Sequence, residues 1–296
     1  MRRLRRVAAL ATLAAALAAA LATALATALA SCAYYRADTE NRILAVGIDA
    51  YAYINELSAC VSDARDIAAA VSADTRVRIL GDADSETVTK DRVLSAIAAA
   101  AAEAPSGGYG VFMFHYSGHG DPALGGILIM GDATAAFAAD TVITVDELLA
   151  EVSAVPAKVR VVILDSCYSG LFVDSGSSVS TLPGDGGKNF VDLVAEAADR
   201  YDEAADGDLI VMSAAGGAEL SQEFATQDLA HGYFTMGLLE SAKYGDANRD
   251  GLVTLTEAFD YASRYVEATV NEWYPSYAYY PRLSGSALDV VLFAAK

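Results

Sequence analysis

Apolar and polar positions fall along the chain in two kinds of block. Apolar runs of strand length lie at Ile43–Asp49, Arg76–Leu80, Gly110–Tyr116, Val159–Asp165, Leu209–Ser213 and Leu288–Phe293. Short runs of this kind, bounded by turn residues, predict buried strands. Between them, apolar positions recur at helical spacing near Ala59–Val71, Lys90–Glu103, Val145–Val152, Phe190–Glu203, Phe234–Tyr244 and Thr256–Val270, which predicts amphipathic helices. Gly126–Met130 predicts a short hairpin arm. Strands alternating with helices give an α/β fold with a mostly parallel sheet.

Two segments depart from this pattern. Arg2, Arg3, Arg5 and Arg6 precede an uncharged run from Val7 to Ser31, the pattern of a signal peptide over residues 1–31. Leu29-Ala30-Ser31-Cys32 resembles the bacterial lipobox, in which the thiol of the cysteine, here Cys32, takes a lipid. A retained single-span anchor and an ordinary cleaved signal are the alternatives, and all three export the rest of the chain. The expected location is the cell envelope, through a lipid anchor that tethers without spanning. In a Gram-negative cell that means the outer membrane or the periplasmic face. Residues 32–41 read as a tether and 42–296 as one domain. The second departure, Asp174 to Lys188, "DSGSSVSTLPGDGGK", is rich in Gly, Ser and Asp and reads as a mobile loop inside that domain.

Charge narrows the class of partner. The full chain has 20 basic and 39 acidic residues, a net charge of −19. Residues 1–31 hold four of the basic residues and no acid, so without them the net charge is −23. Such a surface argues against nucleic acid, which needs a basic footprint, and favours cationic substrates and divalent metals. Of three cysteines, Cys60 and Cys167 remain once Cys32 is assigned to lipid, too few for a disulfide framework.

Two strand ends carry reactive groups. "VFMFHYSGHG", Val111–Gly120, leads to His119, and "VVILDSCYSG", Val161–Gly170, leads to Cys167. In open parallel sheets the active site lies beyond the carboxyl ends of the strands. A histidine and a cysteine delivered there suit a cysteine peptidase, in which a thiolate attacks the scissile carbonyl and an imidazole protonates the leaving amine. Backbone N–H groups of Gly120 and Cys167 are the candidates to hold the oxyanion. No third residue that would orient the imidazole stands out. Either residue alone reads more simply as packing; the matched contexts and flanking glycines favour the pair.

"HYSGHG" and "LDSCYSG" resemble the two active-site motifs of the caspase and metacaspase clan of cysteine peptidases, in the same order and at similar spacing. The resemblance extends over most of residues 42–293. "LSACVSDARDIAAAV" is similar to the clan's first helix, "HGYFTMGLLE" to a helix-opening motif, and "YPRLSGSALDVVLF" to its closing strand. It implies a caspase-like three-layer sandwich with a sheet of about six strands, and catalytic roles for His119 and Cys167. Caspases cut after aspartate using arginines, whereas metacaspases cut after Arg or Lys using carboxylates. Asp63, Ser117 and Asp165 match metacaspase pocket positions, so the expected substrates are proteins or peptides with Arg or Lys before the scissile bond. Two carboxylates at a cleft base suit a guanidinium or ammonium, and strand alternation returns Asp165 to the face that carries Cys167. The bland alternative for Asp63 is a solvated helix residue. His115 and His231 read as packing and structural residues.

"DANRDGLVTLTE", Asp246–Glu257, fits a twelve-residue EF-hand loop: Asp246, Asn248 and Asp250 offer side-chain oxygens, Gly251 the sharp turn, Leu252 its carbonyl, Thr254 position 9 and Glu257 a bidentate carboxylate. Calcium is therefore the expected cofactor. Lys188 is the only basic residue between Tyr168 and Asp199, which makes it the candidate for self-cleavage by an enzyme that cuts after lysine. Two other readings stay open: a catalytically silent caspase-like module that binds partners through calcium, and another cysteine hydrolase or transpeptidase of the clan. The sequence does not indicate an oligomeric state.

Overall fold

In chain order the elements are β1 (Asn41–Gly47), α1 (Cys60–Ala70), β2 (Thr75–Leu80), α2 (Lys90–Ala102), β3 (Tyr109–Asp121), β4 (Ile127–Ile129), β5 (Val142–Thr144), α3 (Val145–Ser153), β6 (Ala157–Tyr168), α4 (Phe190–Asp202), β7 (Asp208–Ser213), β8 (Glu223–Thr226), β9 (Leu229–Gly232), α5 (Tyr233–Tyr244), β10 (Leu252–Thr254), α6 (Leu255–Val266), β11 (Arg282–Gly285) and β12 (Val291–Ala294). The structure is a computed structural model that describes residues 40–71, 75–81, 86–134, 137–168, 190–202, 208–214, 223–226, 229–275, 278, 280–285 and 290–294. The signal segment 1–31, Cys32, the loop 174–188 and its Lys188 lie outside the described residues. No helix among the described residues is long and apolar enough to cross a membrane.

The central sheet runs β11-β7-β6-β3-β1-β2, parallel except for β11, with the β4–β5 arm hydrogen-bonded to the end of β3. Strand alternation sends two sets of side chains to opposite faces. Leu44, Val46, Phe112, Phe114, Val162 and Leu164 pack on one side with residues of α2, α3 and α4. Ile43, Ala45, Met113, Val161 and Ile163 pack on the other with α1, α5 and α6. Both faces are covered, which is why the strands read as unbroken apolar runs. Helix starts are fixed locally: Thr89 and Thr144 each accept a backbone N–H three residues on, and Thr254 with Glu257 forms a capping box.

The sixth strand of the sheet is not the expected Leu288–Phe293. It is β11, a short, half-exposed edge strand whose sequence Arg-Leu-Ser-Gly carries no apolar run. The apolar stretch near 288–293 instead supplies β12, which pairs antiparallel with β10 and buries Leu292 and Phe293 in the α1/α5/α6 layer. A second difference concerns length. The apolar runs predict ends near Tyr116 for β3 and Asp165 for β6, but their mutual pairing continues to Gly120↔Tyr168. Central strands supported on both sides keep their ladder through small polar residues that give no hydrophobic signal.

His115 lies in this core, paired in register with Ala45 and Ile163 and fully buried. Neither ring nitrogen meets a hydrogen-bond partner among the described residues, and burial pushes its pKa down to about 3. The unfolded chain therefore takes up this proton near pH 6.5 while the folded protein takes it up only near 3. Stability from this group is complete above about pH 6.5 and is lost as pH falls towards 3. His115→Phe should make the acid-side loss of stability shallower by up to about 1.4 kcal/mol per pH unit in this window, read by urea unfolding against wild type. Parallel wild-type and variant curves would show that His115 is not the neutral core group described.

Candidate active site

The register of β3 on β6 sets the site. Ser117 pairs with Asp165, and two residues on, His119 pairs with Cys167. The two motif residues thus occupy one position on adjacent strands, at the carboxyl ends of the sheet. His119 is buried, and its Nε2 lies 2.9 Å from the backbone carbonyl of Asn55. A carbonyl only accepts, so Nε2 carries the proton and Nδ1 is the basic nitrogen. The ring is steadied by Tyr51, whose ring centroid is 4.7 Å away and whose hydroxyl accepts the His119 backbone N–H at 2.8 Å. The Tyr116 hydroxyl lies 2.8 Å from the His119 carbonyl and 2.9 Å from that of Ile129, fixing the same stretch of backbone. Burial pushes the Tyr51 phenol up, so it stays neutral. A cleft of about 450 Å³ opens next to Tyr51, lined by Asp49, Thr87, Val88 and Asp132.

The three pocket residues expected from sequence come together. Asp63, Ser117 and Asp165 are all buried, and the Ser117 hydroxyl donates to Asp63 Oδ2 at 2.8 Å. Asp63 is not a solvated helix residue: it falls in the stripe Cys60, Asp63, Ala64, Ile67, Ala68 that α1 turns to the core. Asp49, just beyond β1, accepts the Cys60 backbone N–H at 2.8 Å and so anchors the start of that helix.

Segment 231–235, which opens α5, closes over both carboxylates. Gly232 N–H reaches both Asp63 oxygens at 3.2 Å, while Thr235 donates its N–H (3.1 Å) and hydroxyl (2.6 Å) to Asp165 Oδ2. A Cβ at Gly232 would sit 2.5 Å from Asp165 Oδ2, so only glycine permits this approach. His231 presents Nδ1 to Asp63 Oδ1 at 2.9 Å and Nε2 to Asp66 Oδ2 at 3.2 Å. Burial drives the Asp63 carboxyl up to about 7, against the pull of the His231 hydrogen bond. Burial alone would lower the His231 imidazole, but the hydrogen bond and charge of Asp63, with the charges of Asp66 and Asp165, outweigh it and raise its pKa.

Sequence reasoning missed Asn55, Tyr51, Thr235 and the role of His231. Asn55 acts through a backbone carbonyl, which no residue type announces. Thr235 and His231 had a signal in "HGYFT", where a glycine lies between a histidine and a hydroxyl.

The loop from Asp246 to Glu257 lies at the far end of α5, between that helix and α6. Arg249 and Gly251 take positive φ, +62° and +87°, giving the sharp turn at the sixth position. Asp246 accepts N–H groups of Asp250 and Gly251, Asn248 accepts from Asp250, and Asp250 accepts from Leu252. Glu257 turns back on Thr254 and on the N–H groups of Ala247 and Asn248. The donors are oxygen throughout, which suits a hard cation in kind. Among the described residues no three His, Cys, Asp or Glu side chains converge on one metal-sized point, so binding requires the carboxylates to draw inwards.

Comparison with solved structures gives the same architecture. A Geobacter sulfurreducens protein, GSU0716, superposes with a TM-score of 0.55 at 21% identity, over 83% of this chain and 93% of its own. Caspase-1 from Spodoptera frugiperda superposes with a TM-score of 0.51 at 12% identity, over 85% of this chain and 87% of its own. No curated protein matches the chain. The family model for the caspase domain matches residues 40–292, which takes in the strand ends at His119 and Cys167, Asp63, Asp165 and the loop at 246–257, and the chain accordingly belongs to the caspase-domain family.

Proposed function

We propose that this protein is a cysteine endopeptidase that cleaves after Arg or Lys with Cys167 as nucleophile and His119 as acid–base. The observation that carries the reading is the shared register position of His119 and Cys167 on β3 and β6, with the imidazole already oriented by the Asn55 carbonyl. In this mechanism the thiolate attacks the scissile carbonyl, and the N–H groups of Gly120 and Cys167 receive the oxyanion. His119 then gives its proton to the leaving amine, and water hydrolyses the thioester. The preference for a cation is supported by the buried carboxylates of Asp63, which accepts the Ser117 hydroxyl, and of Asp165, the register partner of Ser117 two residues before Cys167. Export and lipid anchoring through Cys32 complete the reading and put the enzyme at the cell envelope.

The test is cleavage of peptides that carry Arg, Lys, Asp or Asn before the scissile bond, with wild type and Cys167→Ala. Turnover confined to Arg and Lys and abolished in Cys167→Ala is expected; Asp165→Asn should lose roughly 10- to 100-fold in kcat/KM, the worth of one charged hydrogen bond. Preference for Asp would overturn the pocket assignment. Absence of cleavage of every peptide would favour the silent binding module. Intact masses from the same pair of proteins test self-cleavage after Lys188, which predicts two fragments in wild type and none in Cys167→Ala.

Calcium belongs to the same proposal, with Asp246, Asn248, Asp250, Leu252, Thr254 and Glu257 as the residues that would hold it. When bound, the ion would neutralise the loop carboxylates and stiffen the α5–α6 turn. Calcium should raise the melting temperature of wild type and release heat on titration, and Glu257→Gln should weaken binding by at least about tenfold. A wild type that neither binds nor is stabilised would remove calcium from the account.

A further inference from the structure

His231 lies between two carboxylates, and that position favours its charged form. A neutral imidazole has one N–H and one lone pair. The ring stands between Asp63 Oδ1 at 2.9 Å, a hydrogen bond, and Asp66 Oδ2 at 3.2 Å, an ion-pair contact, so a neutral ring would turn its lone pair to one of two carboxylates. The doubly protonated ring turns an N–H to each side, hydrogen-bonded to Asp63 and ion-paired with Asp66. The ring is buried together with Asp63, while Asp66 reaches solvent with its side chain 45% exposed. The groups that face it are therefore Asp63 and Asp66 on α1 and, at longer range, Asp165 on β6. No basic side chain is among them. Asp63 thus already faces a side chain of the same molecule that becomes a cation on protonation.

We propose that His231 is a specificity-determining residue of this pocket: its imidazolium occupies Asp63, and a substrate's Arg or Lys side chain enters by taking that carboxylate from it, with release of the imidazolium proton to solvent. The inference rests on the reading of Asp63, Ser117 and Asp165 as the pocket for a basic residue. Two cations beside one buried carboxylate repel each other strongly in a medium of low polarity, so substrate binding and proton loss are linked. The direction follows. Where His231 is protonated, the incoming cation must displace its proton, so affinity is weak at low pH. It climbs by up to tenfold per pH unit and levels off once the imidazole is neutral.

The experiment uses the Cys167→Ala protein and two peptides, acetylated and amidated, one with a single Arg and its twin with citrulline, which has nearly the same shape without the charge. Binding is titrated between about pH 5.5 and 8.5, the range in which imidazole ionises. In parallel, ¹³C-labelled histidine is followed by NMR. The chain has three histidines, and the His231 signal is identified by its loss in His231→Gln.

The proposal predicts that His231 is protonated at pH 7 in the free protein and neutral when saturated with the Arg peptide, and that it stays protonated with the citrulline peptide. Arg-peptide affinity should rise with pH while citrulline-peptide affinity stays flat. Asp66→Asn, a change at a half-exposed position, should move the His231 midpoint and the affinity midpoint to lower pH together. An Arg peptide that binds more tightly than its twin yet leaves His231 protonated would overturn this proposal and leave the pocket reading standing. Equal binding of the two peptides would overturn the pocket reading and this proposal with it.

Discussion

The parallel pairing of β3 with β6 is the constraint on which the rest of the site depends. It runs from Tyr109↔Ala157 to Gly120↔Tyr168, well past the point where the apolar runs stop. Because side chains alternate with a period of two, a slip of one residue would exchange the two faces of the strand and undo the core and the site together. The core of Phe112, Phe114, Val161 and Ile163 therefore holds more than the sheet. It fixes which residue of β6 stands opposite Ser117 and which stands opposite His119. In the proposed reading, recognition and chemistry are set two residues apart by one ladder.

The second constraint is the burial of charge. Asp63 and Asp165 sit within the protein, where an ionised carboxylate costs several kcal/mol unless it is hydrogen-bonded. Segment 231–235 meets that requirement: Gly232 and His231 serve Asp63, and Thr235 serves Asp165. The same segment opens α5, whose other end enters the loop from Asp246 to Glu257. One helix thus joins the proposed pocket to the proposed calcium loop. The closing strand β12 pairs with β10 of that loop, which ties the chain's last apolar run to it.

Much of this was legible in the sequence, and the reasons differ by element. Five sheet strands and six helices announced themselves because both faces of a parallel sheet are buried, which leaves unbroken apolar runs separated by amphipathic stretches. His119 and Cys167 stood out because glycines and small residues follow strands that have no packing need for them. Asp63 was marked only by its match to a metacaspase pocket position; its place in the buried stripe of α1 and its contacts with the start of α5 became plain from the structure. The edge strand β11 and the β8–β9 pair escaped, since short, partly polar strands are stabilised by partners remote in sequence. Asn55 escaped for a deeper reason: its contribution is a main-chain carbonyl, common to every residue.

The central claim is that His119 and Cys167 act as one unit, and the most direct measurement of it is the pH dependence of Cys167 alkylation. Iodoacetamide labelling, quantified at Cys167 by peptide mass, would be followed in wild type and in His119→Ala, with Cys60 as the internal buried thiol. The account predicts rapid labelling of Cys167 with a midpoint well below the ordinary thiol value of about 8.5, moved up towards that value when His119 is removed. A midpoint near 8.5 in both proteins would contradict it.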